Sequence, residues 1–169
     1  MAAPVLGAIL LLTGCAEQPK DPAVQAREDA KAVAMVEAAQ SAKPPPTPMA
    51  PQPITAADIK ANRFYGAGCS LVPAGQPGGN PIVIANDRRA VLKVGGKFVT
   101  FAADSGSALL AMGTRSRYIG KAQSLDLNRS PSDGTRLGQE ASRWSAGMVV
   151  RDPWGQMIYS SGGELICGS

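Results

Sequence analysis

A mainly β fold, a small antiparallel β-barrel or sandwich with one short N-terminal helix, is what this sequence predicts, and three observations predict it. From residue 82 onward, short stretches alternate apolar and polar residues and are separated by glycine- and proline-bearing turns, the pattern of half-buried strands. All eight aromatic residues lie between Phe64 and Tyr159, which marks where a core is built. The chain carries 19 Gly and 14 Pro but only 18% charged residues, so it is rich in turns and has some chain outside that core.

The folded part starts with Ile54-Thr55-Ala56-Ala57-Asp58-Ile59. Thr55 suits the helix N-cap, Asp58 answers it from the third helical position, and Ile54 with Ile59 forms a hydrophobic staple. Phe64-Tyr65-Gly66 ends this helix by about Arg63. Strands follow. Ile82 and Ile84 share a face, as do Ala90, Leu92 and Val94, with Arg89 and Lys93 opposite. Gly95-Gly96 makes the two-residue loop of a tight hairpin between residues 91–94 and 97–101. Leu125 alternates with Leu127, and Ala146 with Met148 and Val150. Asp152-Pro153-Trp154-Gly155 is a turn by composition, residues 156–160 return, and Ser161-Gly162-Gly163 is expected to turn again into residues 164–167. About 114 residues can bury one modest core.

Upstream of this the chain divides into residues 1–14, a leader, and residues 15–53, an anchor and flexible tether, leaving 54–169 as the β domain. Residues 2–12 form an uncharged apolar run, too short to cross roughly 30 Å of hydrocarbon but the right length for the core of a signal peptide. Leu12-Thr13-Gly14-Cys15 then resembles, position by position, the lipobox of bacterial lipoproteins. That resemblance implies diacylglycerol on the Cys15 thiol, cleavage before it, and an acylated, palmitate-bearing amine; several chains together give stable anchoring where one does not. Ala16, in place of Asp, implies sorting to the outer membrane, with the domain facing the periplasm. The sequence departs from the signal pattern in lacking a Lys or Arg before the apolar run.

Asp21-Pro22 reads as a helix start, with strong helix formers to Ala42 but a poor apolar stripe, hence an unpacked helix or loose chain. Six prolines in residues 44–53 read as a polyproline II spacer of about 3 Å per residue, roughly 30 Å in all.

With Cys15 lipidated, Cys69 and Cys167 remain, on the first and last expected strands. In an oxidising envelope compartment such a pair reads as a disulfide.

Histidine is absent, which removes Ser-His-Asp and Cys-His catalysis and every His-containing metal site. The eight acidic residues of 54–169 are scattered, no Ser-x-x-Lys occurs, and the glycine-rich segments lack phosphate-loop spacing. The expectation is therefore a non-catalytic module without metal or cofactor. Residues 54–169 hold 13 basic and 8 acidic side chains, a formal +5. Arg115, Arg117, Tyr118 and Lys121 make the densest basic segment, and Trp154 sits at a turn tip; these five are the candidate binding residues, suited to an acidic or lipid-headgroup partner. Export argues against nucleic acid, and leaves the membrane and an envelope or cell-wall protein as partners.

Residues 113–118, ending Arg117-Tyr118, together with Cys69 and Cys167, also resemble the membrane-bound inhibitors of c-type lysozyme. The resemblance implies a small antiparallel barrel, a bridge between the two cysteines, and insertion of the Arg-Tyr segment into a cell-wall-degrading enzyme. The inhibitors' Trp-x-Lys-Gly segment has no counterpart in residues 122–129.

Overall fold

The structure, a computed structural model, describes residues 21–169. The leader and Cys15, the expected lipid site, lie outside the described residues. The chain divides into two compact units, Met1–Lys43 and Pro44–Ser169.

In the first unit, helix α1 spans Pro22–Ser41. Asp21 caps it by accepting a hydrogen bond from the Ala23 N–H at 2.8 Å, and Pro22 occupies the first turn where its missing N–H is harmless. None of its residues is buried, as its weak apolar stripe leads one to expect. No helix among the described residues is long and apolar enough to cross a membrane.

The second unit is a closed barrel. Its elements are β1 (Pro51–Gln52), α2 (Ala56–Asn62), β2 (Gly68–Pro73), β3 (Val83–Ala85), β4 (Arg89–Val94), β5 (Lys97–Ala103), β6 (Arg117–Ile119), β7 (Ser124–Arg129), β8 (Thr135–Leu137), β9 (Ala141–Arg151) and β10 (Met157–Gly168). Eight of these described strands run β4-β3-β2-β10-β9-β7-β6-β5, and β5 pairs back to β4, all antiparallel. Closure removes the open edges that would otherwise recruit other chains. Inward residues alternate along every strand, so Leu71, Leu92, Phe101, Tyr118, Leu125, Leu127, Met148, Val150 and Leu165 meet in one fully buried core. Core, barrel and disulfide all lie within this unit, which therefore contains what its fold requires.

The two ends of the barrel differ. The β4–β5 loop at Gly95-Gly96, the β6–β7 turn and the β9–β10 turn share one end, here the hairpin end. Both Gly95 and Gly96 have positive φ, 55° and 75°, as a two-residue hairpin loop requires. The other end is closed by residues 104–116, where Leu110 and Ala111 pack on the core and Thr114 is fully buried.

Three expectations need correction. Ser161-Gly162-Gly163 is no turn: β10 runs straight through it, paired with β9 on one side and, from Gly163, with β2 on the other. The glycine at 163 is there for close approach, because a Cβ would collide with the Val72 carbonyl oxygen. Ile84 does not join the core with Ile82; Val83 and Ala85 do, and Ile84 faces outward.

The proline-rich segment is not only a spacer. Pro51-Gln52 pairs with Val94 and Lys93, continuing the ladder on β4 where β3 has not yet begun. The Gly96 N–H donates to Gln52 Oε1 at 2.7 Å, and Met49 packs against the core. A bulge between Met157 and Tyr159 leaves the Ile158 carbonyl free to accept the Met49 N–H at 2.9 Å. Residues 44–53 thus belong to the same compact unit as the barrel.

Candidate ligand groove and the expected binding residues

The capping box expected at Thr55 is formed: Asp58 Oδ2 accepts the Thr55 N–H at 2.9 Å, and Thr55 Oγ1 accepts the Asp58 N–H. Lys93, outward on β4, donates to both oxygens of Asp58, at 2.9 and 2.8 Å, which fixes α2 against the outer wall of the barrel. Arg63 ends the helix in the left-handed conformation and turns the chain into Phe64. The Phe64 ring meets Phe98 edge-on at 5.0 Å, and the Arg89 guanidinium lies 5.7 Å from the Phe64 centroid.

Between this strap of helix and loop and the barrel wall lies a groove of about 350 Å³, within the range of small-molecule sites. Its floor is a row of directly paired outward residues on four strands, Ile166, Ser70, Ile84 and Val91. Ile59, Phe64 and Tyr65 line the strap side, and Arg89 stands at the rim. Arg89 is exposed, and no carboxylate among the described residues pairs with it. Asn86 Oδ1 accepts the N–H groups of Arg88 and Arg89, both at 2.9 Å, which holds the β3–β4 turn that presents this guanidinium. Behind the floor, Cys69 and Cys167 form a disulfide, Cα to Cα 4.0 Å, between directly paired positions of β2 and β10, the strands that supply Ser70 and Ile166.

No Asp, Glu or Lys side chain lines the groove, so none stands there to take a proton from Ser70. Among the described residues no three of His, Cys, Asp or Glu converge on a possible metal position.

The five residues singled out by sequence do not form one site. Tyr118 is fully buried; its hydroxyl donates to the Asn86 carbonyl at 2.7 Å and accepts the Arg115 N–H at 2.8 Å, and burial pushes its pKa up. Tyr118 therefore offers no surface to a partner, because the alternation that makes Arg117 face out turns it inward. The Arg115 side chain is occupied locally, donating to the Ser107 carbonyl at 3.0 Å. Arg117 faces solvent beside Asp126 at 3.7 Å, and Arg151 approaches the same carboxylate at 3.7 Å. Lys121, in the β6–β7 turn, and Trp154, at the tip of the β9–β10 turn, are exposed at the hairpin end. Asp152 builds that tip by accepting the N–H groups of Trp154 at 3.0 Å and Gln156 at 2.8 Å.

Sequence reading missed the groove, although it left a signal. Val83-Ile84-Ala85, Ala90-Val91-Leu92 and Leu165-Ile166-Cys167 are unbroken apolar triplets, the mark of strands covered on both faces.

No protein family, curated protein or solved structure significantly matches this chain.

Proposed function

We propose that this chain is a bacterial envelope lipoprotein, anchored through acyl chains on Cys15, whose barrel is a non-catalytic binding module for a small anionic amphiphile. The lipobox-like Leu12-Thr13-Gly14-Cys15 supports the anchoring. The groove carries the binding reading: an apolar floor of Ile84, Val91 and Ile166 beneath a cationic rim at Arg89 suits an acyl chain bearing one acid group. Its volume of about 350 Å³ admits such a molecule. No observation favours enzyme inhibition through residues 115–121, since Tyr118 is inside and Arg117 is beside Asp126.

Dodecanoate titrated into residues 16–169 tests the groove. The proposal expects one bound molecule, blocked by Ile84→Gln. Arg89→Ala weakens dodecanoate about tenfold or more, the range for a charge-assisted hydrogen bond, yet spares dodecanol. Binding that ignores both substitutions contradicts the groove assignment.

A further inference from the structure

We infer that the groove selects an acyl chain hydroxylated close to its acid group, and that Ser70 is the residue that recognises the hydroxyl. The selection rests on the reading, given above, that the groove is the binding site.

Ser70 is a polar interruption of an apolar floor. It is directly paired with Ile166 on β10 and with Ile84 on β3, and Val91 follows on β4. Its side chain faces the groove, because its neighbours Cys69 and Leu71 are buried inside the barrel. Ser70 is half-buried, and its hydroxyl makes no hydrogen bond among the described residues. A purely aliphatic chain laid along this row takes water from the hydroxyl and returns nothing. A ligand oxygen opposite it restores the bond.

Asn86 and Arg89 hold the acid end. The Asn86 N–H donates to the Arg89 carbonyl at 2.9 Å, so the two residues stand opposite one another where the β3–β4 ladder ends. Asn86 Oδ1 already accepts the N–H groups of Arg88 and Arg89, which leaves its amide nitrogen to donate. With the guanidinium it makes a donor-only pair suited to a carboxylate.

Asn86 lies two residues beyond Ile84 on the same side of the chain, and so is diagonal to Ser70. Diagonal neighbours on adjacent strands are about 7–8 Å apart. An acid group and a hydroxyl on its third carbon can bridge that gap. Opposite Asn86 on β2 stands Gly68, so no side chain occupies that position of the floor. Beyond Ser70 the floor is apolar again at Ile166, which suits the unsubstituted remainder of the chain.

Calorimetric titration of residues 16–169 with dodecanoate, each enantiomer of 3-hydroxydodecanoate, and 12-hydroxydodecanoate tests this. One enantiomer of the 3-hydroxy acid is expected to bind about three- to tenfold tighter than dodecanoate, the range of one added hydrogen bond, and tighter than its mirror image. The terminal hydroxyl of the 12-hydroxy acid is expected to gain nothing. Ser70→Ala is expected to remove both preferences, and Ser70→Thr, which keeps the hydroxyl, to retain them. Equal affinity for the 3-hydroxy and plain acids overturns the inference and leaves the groove reading in place. So does an equal gain from the terminal hydroxyl, or a preference that survives Ser70→Ala. Failure of all these acids to bind contradicts the groove reading itself, and the selection with it.

Discussion

Lys93 holds Asp58 by both carboxylate oxygens, 35 residues apart in sequence, and so ties helix α2 to the barrel wall. The bonds from Lys93, then those from Thr55, lower the Asp58 pKa from the ordinary 3.8 to about 2. The unfolded carboxylate takes up its proton at a higher pH than the folded one. The stabilisation is therefore complete above about pH 4 and is lost as the pH falls toward about 2. Asp58→Asn is expected to lower stability at neutral pH and to flatten its decline between those values. Urea unfolding across that range measures both, and an unchanged acid slope would contradict the assignment. Because α2 forms one side of the groove, the same substitution is expected to weaken dodecanoate binding.

The disulfide between Cys69 and Cys167 closes a separation of 98 residues. Cross-links over loops of about 100 residues are worth about 4.7 kcal/mol by chain entropy, and removing native ones costs about 2–5 kcal/mol. Joint replacement of both cysteines by serine is expected to fall in that range in urea unfolding. A loss under about 1 kcal/mol would mean that the reduced chain already holds β2 beside β10.

Tyr118→Phe separates a structural tyrosine from an interface one. It leaves the Asn86 carbonyl and the Arg115 N–H without their partner, at a cost of about 1–3 kcal/mol. Arg117→Ala, beside the partly exposed Asp126, is expected to cost less than about 1 kcal/mol. Equal losses in thermal or urea unfolding would contradict the inward orientation of Tyr118.

Neighbouring glycines on β10 are expected to behave unlike one another. Gly163→Ala drives a methyl group into the Val72 carbonyl and is expected to destabilise by about 1–3 kcal/mol or more. Gly162→Ala meets nothing closer than the Ala146 carbonyl oxygen at 4.0 Å and is expected to be nearly neutral. Comparable losses would contradict the uninterrupted strand through 161–163.

What local rules could decide was legible in the sequence. The Thr55–Asp58 box, the Gly95-Gly96 loop, the Asp152–Gly155 turn and the pairing of the two cysteines each depend on a few adjacent residues or on simple parity. Misreadings arose where distant chain decides. Gly163 serves the approach of β2, which lies some 90 residues earlier, and looks locally like a turn. Pro51-Gln52 becomes a strand only because β4 outruns β3. The groove gathers its floor from four strands, so no single segment announces it, and Tyr118 is hidden within a basic segment because an inward-outward strand presents only every second residue.

Mass measurement of the amino-terminal peptide, taken from protein made in a Gram-negative bacterium and extracted from its envelope, tests the anchoring most directly. The account predicts a chain that starts at Cys15 and carries thioether-linked diacylglycerol with an acylated amine. A chain that keeps residues 1–14, or begins with an unmodified Cys15, would contradict it.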